Sequence, residues 1–204
     1  MKILVVATGN PGKVKEMQAY LTDLGYTLQL KPEDLEIEET GDTFMANACL
    51  KASEVAKATG QWAIADDSGL AVEALNGAPG IYSARYGSTD NERISRLLKE
   101  LSDATNRKAQ FVCAIAIARP DGEIACTTEG VCDGEILHAQ RGTGGFGYDP
   151  IFYLKEQQLT FAEMTTSQKQ SYSHRGKALS ALRSKLPMQR LLSQGPIWNP
   201  ALHI

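Results

Sequence analysis

The chain has 204 residues, 43% hydrophobic and 22% charged, which suits one globular domain whose core needs no staples and excludes a disordered or fibrous protein. Its formal net charge of −3 excludes the broad basic surface of a protein that coats DNA or RNA, so any phosphate it binds must be met locally. Cys49, Cys113, Cys126 and Cys132 show no Cys-x-x-Cys spacing and read as thiols in a reducing compartment rather than metal ligands or disulfides.

In chain order, "MKILVVA" predicts a buried strand over residues 2–7. Its apolar run is too short for a signal-peptide core or a membrane span, so a cytoplasmic protein with no membrane partner is expected. A helix follows over 11–24, with Val14, Met17, Leu21 and Leu24 on one face. A strand near 26–30 and the acidic loop "EDLEIEETGD" lead into a helix over 43–59 capped by Asp42. The next strand, 62–65, runs into "DDSG". Beyond "NGAPG", a helix over 91–102 carries Ile94, Leu97, Leu98 and Leu101. "FVCAIAIA" reads as a central strand, which Pro120-Asp121-Gly122 turns back into a partner from Glu123 onward. A glycine-dense loop, "AQRGTGGFGYDP", spans 139–150, and a last helix covers 174–185. This order argues for an α/β fold with a mixed twisted sheet and flanking helices.

Several local anomalies point to chemistry. In "TGNPGK", Asn10 is a natural N-cap and Pro11 suits the first helical position, which puts Lys13 in the first turn. The helix dipole disfavours a cation there unless an anion is held by the backbone amides and the ammonium together, and phosphate is the natural candidate. The loop is not a Walker A motif, because the glycine spacing is too short and Val14 replaces the magnesium-binding hydroxyl. "SHRGKAL" repeats the anomaly, with Ser173 able to cap a helix that begins His174-Arg175. Thr43, Asn47 and Lys51 share one helix face. Two acidic doublets, Glu38-Glu39 and Asp66-Asp67, offer hard oxygens without a His or Cys set, which suits Mg²⁺ held partly by substrate phosphates. Two like charges side by side at an apolar strand call for a cationic partner. "GGFGYDP" adds rings and a carboxylate on a loop able to stack on and hydrogen-bond a base.

Taken together, "ATGNPGK", "EETGDTF", "IADDSGLAVEALNGAPGIYSARYG", "GTGGFGYDPIF" and "SHRGKAL" closely resemble the inosine triphosphate pyrophosphatase family, also called XTP/dITP diphosphatases, from residue 3 to about 186. The resemblance implies Mg²⁺-dependent hydrolysis of the non-standard purine nucleoside triphosphates ITP, dITP and XTP to monophosphate and pyrophosphate. It also implies a homodimer, with each active site in a cleft between two lobes of one domain, residues 1–190, followed by a tail, 191–204. Carried over by motif position, Thr8, Gly9, Asn10, Pro11, Gly12 and Lys13 would hold the triphosphate, with Lys51 as a further contact. Glu39 and Asp67 would bind magnesium, Asp67 would accept the proton of the attacking water, Ser68 would touch substrate, and Asp66 would orient the Glu39–Asp67 pair. Phe146, Gly147, Tyr148, Asp149, Lys169, His174 and Arg175 would form the base pocket, the last three supplying cationic donors to the carbonyl edge of the base. One departure is Ala46, where the family usually carries glutamate. A nucleotide-binding regulatory module would need the loop and pocket but not four acidic groups, and a phosphotransferase would need a second-substrate pocket.

Overall fold

In the computed structural model, which describes residues 2–22 and 25–185, strand β1 (Lys2–Val6) runs into helix α1 (Pro11–Leu21). The helix buries Met17 and Leu21, worth about 1.5–3 kcal/mol each. It closes on Thr22, short of the expected 24, and Leu24 lies outside the described residues, as does the tail from 186 onward. Strand β2 (Tyr26–Leu30) pairs with β1 in parallel. Helix α2 (Phe44–Thr59) is capped by Thr43, whose side chain accepts from the Ala46 amide at 3.1 Å, so the cap falls one residue later than Asp42.

The larger correction concerns β3. It spans Ala63–Val72, well past the expected 62–65, so Asp66 and Asp67 lie inside the strand rather than at its end. Turn-forming side chains suggest a stop there, but tertiary pairing overrides them: β4 (Lys108–Ala118) covers β3 residue for residue, with Asp66 opposite Ile115 and Asp67 opposite Ala114. Helix α3 (Asp90–Glu100) precedes β4, and β5 (Ile124–Ile136) returns along it. The short strands β6 (Phe152–Leu154) and β7 (Leu159–Thr160) and helix α4 (Thr166–Tyr172) lie in a stretch for which no elements were expected. Helix α5 (His174–Lys185) matches its expected span. The sheet order is β2-β1-β3-β4-β5-β6-β7, parallel around β1 and antiparallel beyond β3. Among the described residues no helix is long and apolar enough to cross a membrane.

Packing explains how the helices reach the strands closely enough to deliver side chains. On one face α2 places Ala48, Ala52 and Ala56 against Ala63, Ala65, Ala114 and Ala116. These small side chains let the helix lie near the sheet and carry buried Asn47 and Lys51 down to Asp67. On the opposite face, Leu4, Ile64, Cys113 and Ile115 pack with Met17, Ala178 and Leu182 of α1 and α5. A third cluster around Leu70, Leu97, Phe111, Phe152 and Phe161 fills the far end of the sheet. All four cysteines are free.

Candidate active site

Side chains alternate along a strand, so neighbours in β3 cannot share an environment. Asp66 faces α1 and α5 and is fully buried. Its Oδ2 receives Arg175 Nη2 at 2.9 Å, Lys13 Nζ at 3.1 Å and Ser68 Oγ at 3.2 Å, while its Oδ1 is buried without a partner. Burial alone would raise its pKa, but the Lys13 and Arg175 charges outweigh burial and hold the carboxyl well below the usual range. Both cations that seemed misplaced at helix starts therefore meet one carboxylate. Asp66 anchors Lys13 and Arg175, not the Glu39–Asp67 pair to which the motif comparison assigned it.

Asp67 faces α2. Lys51 Nζ lies 2.9 Å from its Oδ1 and Asn47 Nδ2 lies 3.4 Å from its Oδ2. The same ammonium is 2.6 Å from Glu39 Oε1, and Arg85 Nη2 is 2.6 Å from Glu39 Oε2. Asp67 thus has one shared cation and a carboxylate neighbour; burial, added to by Glu39, outweighs Lys51 and raises its pKa. Burial also opposes ionisation of Glu39, yet three cations, Lys51 foremost, then Arg85 and Lys13, prevail and lower its pKa. Desolvation would lower the pKa of Lys51, but Asp67 and its other acidic neighbours raise it, so the ammonium stays charged.

The start of α1 corrects another expectation. Asn10 Oδ1 accepts from the amides of Gly12 and Lys13 at 2.9 and 3.3 Å, so these donors are already used by the cap. What this helix start offers an anion is the Lys13 ammonium. A cavity of about 450 Å³ is lined by Asn10, Pro11, Gly12 and Lys13, by Glu39, Asp67 and Ser68, and by Phe146 to Asp149, Lys169, His174 and Arg175. Thr8 and Gly9 lead into that wall without lining it, Lys51 stands behind the two carboxylates, and Ala46, beside Gly41, is not among the lining residues.

At the ring-bearing wall, Gly147 sits at φ 61, a left-handed conformation suited to glycine, and its amide donates to Asp90 Oδ2 at 2.7 Å. Tyr148 donates its hydroxyl to Ser83 O at 2.9 Å. Asp149 is buried and takes Lys169 Nζ at 2.6 Å and the Phe146 amide at 2.8 Å; burial still outweighs these and raises its pKa. Lys169 lies 4.6 Å from the Phe146 ring centroid and also pairs with Glu16 at 2.8 Å. Arg175 spends its donors on Asp66, Ser68 and Glu16, so it is not an open cationic reader of a base edge. Nor is His174 a cation: burial, reinforced by Arg175 and Lys169, drives its pKa well below the ordinary value. It stacks on Phe111 at 4.6 Å and leaves Nδ1 buried without a partner. Ser173 joins α4 to α5, its amide closing α4 on Lys169 O and its hydroxyl accepting from Gly176.

Sequence reasoning missed Glu16, Ser83, Arg85 and Asp90. Glu16 looks like a solvated residue one turn after Lys13, and only the arrival of α4 and α5 shows that it holds Lys169 and Arg175. Arg85 and Ser83 lie in the quoted "IYSARYG", where two polar residues in an otherwise apolar and aromatic stretch were the available signal.

Fold and site define a class: an α/β protein whose mixed sheet, with its flanking loops and helices, brings a carboxylate pair and lysines to the wall of a ring-bearing cleft. Within that class, the chain belongs to the Ham1 family, whose model matches residues 4–185. It is 71% identical over 185 residues to the dITP/XTP pyrophosphatase of Nostoc sp., covering 91% of this chain and 94% of that one. It is 63% identical over 187 residues to the dITP/XTP pyrophosphatase of Synechocystis sp., covering 92% and 96%. Among solved structures, a HAM1 protein from Coxiella burnetii superposes with a TM-score of 0.83 at 44% identity, over 91% of this chain and 98% of that chain.

Proposed function

We propose that this protein hydrolyses dITP, ITP and XTP to the monophosphate and pyrophosphate, using Mg²⁺ held by Glu39 and Asp67. The observation that carries the reading is one cavity walled both by Lys13, Glu39 and Asp67 and by Phe146, Lys169 and His174, which matches the charge of a triphosphate and the ring of a base. The names of the relatives supply the substrate class.

The two carboxylates fit a hard divalent cation. They already converge on one positive charge, the Lys51 ammonium, at 2.6 and 2.9 Å. Two carboxylates with the remaining positions left to phosphate and water suit magnesium rather than a closed protein cage. When bound, the metal supplies charge neutralisation at the phosphates. Lys13 adds its charge at the cavity wall and Lys51 from behind the carboxylates, and Ser68 brings to the wall a hydroxyl whose proton is held by Asp66. Asp67 is the group suited to take the water's proton, because it lines the cavity and shares its one lysine with Glu39, unlike Asp66, which is sealed between two cations. Phe146 offers a ring face to the base, Lys169 keeps a cation beside that ring, and neutral His174, at the same wall, leaves its buried Nδ1 without a partner in the protein. A 6-carbonyl can accept from such donors, whereas the 6-amino group of adenine cannot.

Pyrophosphate release from ITP, XTP, dITP and ATP tests the proposal. Release from the first three well above that from ATP is expected, and binding without release would leave a regulatory module instead. Hydrolysis in ¹⁸O-water then identifies the phosphorus attacked, by which product carries the label. The homodimer belongs to the same proposal, on the family resemblance; sedimentation equilibrium should give twice the mass of one chain.

A further inference from the structure

The two oxygens of Glu39 are held by two different kinds of cation. Lys51, on Oε1, is built in: its side chain is 10% exposed and it also binds Asp67. Arg85, on Oε2, is the opposite: its side chain is 54% exposed, and it lies loosely beside the Tyr82 ring at 5.9 Å. An exposed ion pair is worth little, so Arg85 is the partner that Glu39 can lose at low cost.

The backbone beneath Arg85 is fixed. It ends the 3₁₀ segment Gly80–Arg85, which presses on β3 where a side chain at Gly69 would lie 2.4 Å from Gly80 O. Ser83 pins that segment by accepting from the Leu70 amide at 2.9 Å and donating to Gly80 O at 2.6 Å. Its neighbours Ser83 and Ala84 line the cavity, so an exposed guanidinium is carried on a pinned rim.

We propose that Arg85 is an exchangeable counter-cation, holding Glu39 until a divalent metal takes that carboxylate and then turning to the terminal phosphates of the substrate. A metal and a guanidinium on one carboxylate repel each other, and a triphosphate supplies pairs of oxygens that the planar guanidinium can bind bidentately. Arg85 would thereby disfavour metal in the free protein and favour it once phosphates arrive. This rests on the reading that Glu39 and Asp67 hold the metal.

The test uses the full chain and two probes other than turnover: Mn²⁺ binding without nucleotide, followed by electron paramagnetic resonance, and magnesium pyrophosphate binding, followed by calorimetry. Arg85→Ala should bind Mn²⁺ about two- to fivefold more tightly, the size of an exposed ion pair. It should bind magnesium pyrophosphate about tenfold more weakly, the size of a lost charge-assisted hydrogen bond. Arg85→Lys should restore Mn²⁺ competition but only part of the pyrophosphate affinity. If neither affinity moves, or both move in one direction, Arg85 is an ordinary surface ion pair and the inference is wrong. If Glu39→Gln leaves Mn²⁺ binding unchanged, the metal reading itself fails and this inference falls with it.

Discussion

Asp66 and Asp67 are adjacent in sequence, yet they belong to two regions with opposite electrostatic character. On the α1–α5 face, Asp66 is sealed from solvent between Arg175 and Lys13, and its charge is locked in place. On the α2 face, Asp67 shares its lysine with Glu39, lines the cavity and carries a raised pKa. The contrast teaches that a carboxylate saturated with cations holds the structure, whereas one left short of them keeps basicity and metal affinity for a ligand.

The largest expected effect would break the contrast at Asp67. Asp67→Asn should lower pyrophosphate release from ITP by about 10³-fold, within the range of general-base contributions. Its stability in urea should be unchanged or raised at pH 7, because an uncharged side chain relieves the burial that opposes the native charge. A clear fall in the urea midpoint would show that Asp67 is structural too.

Asp66→Asn should do the reverse. It leaves Arg175, 2% exposed, with its main counter-ion gone, and breaking such a buried pair costs about 3–5 kcal/mol. The two variants should also part with pH. Asp66 has a folded pKa below its unfolded value, so its stabilisation is present above about pH 4 and fades as pH falls toward the folded pKa. Asp67 has a folded pKa above its unfolded value, so its charge costs stability at neutral pH and that cost vanishes in acid. Urea unfolding at pH 7 and pH 3 should therefore show both differences from wild type shrinking, from opposite signs.

A smaller effect sharpens the same contrast through His174, which stays neutral when folded. Below about pH 6.5 the unfolded chain takes up a proton that the folded chain refuses, so stability should fall by up to about 1.4 kcal/mol per pH unit there. His174→Phe should flatten that slope; an unchanged slope would place the titration elsewhere. Smallest is Phe146→Ala, which leaves both aspartates alone and should raise KM for every purine substrate by about tenfold, the low end of base stacking. A loss confined to ITP would mean that the ring reads the base edge.

Much of this was legible in the sequence where local physics decides. Asn10 caps α1 and Pro11 starts it, and α5 begins at His174, because caps and proline act within a few residues. The middle of β3 was not legible. "DDSG" carries the composition of a turn, and only pairing with β4, fixed by distant residues, keeps it extended. Lys13 and Arg175 were correctly singled out as cations in the wrong place, but the anion that satisfies them is Asp66. A helix start signals a need for negative charge without saying where it comes from, and the roles of Glu16 and Arg85 likewise exist only across elements.

The bond between Asp66 and Arg175 spans 109 residues, and that separation bears on the order in which the chain can assemble. During synthesis β3, β4 and β5 emerge first and pair with near neighbours, while Arg175 follows well behind them. Until it does, closing the sheet over Asp66 would bury a carboxylate with only Lys13 to meet it. Helix α5 thus acts as a check on assembly: a chain broken off before residue 175 retains all seven described strands yet lacks the charge that lets its centre close.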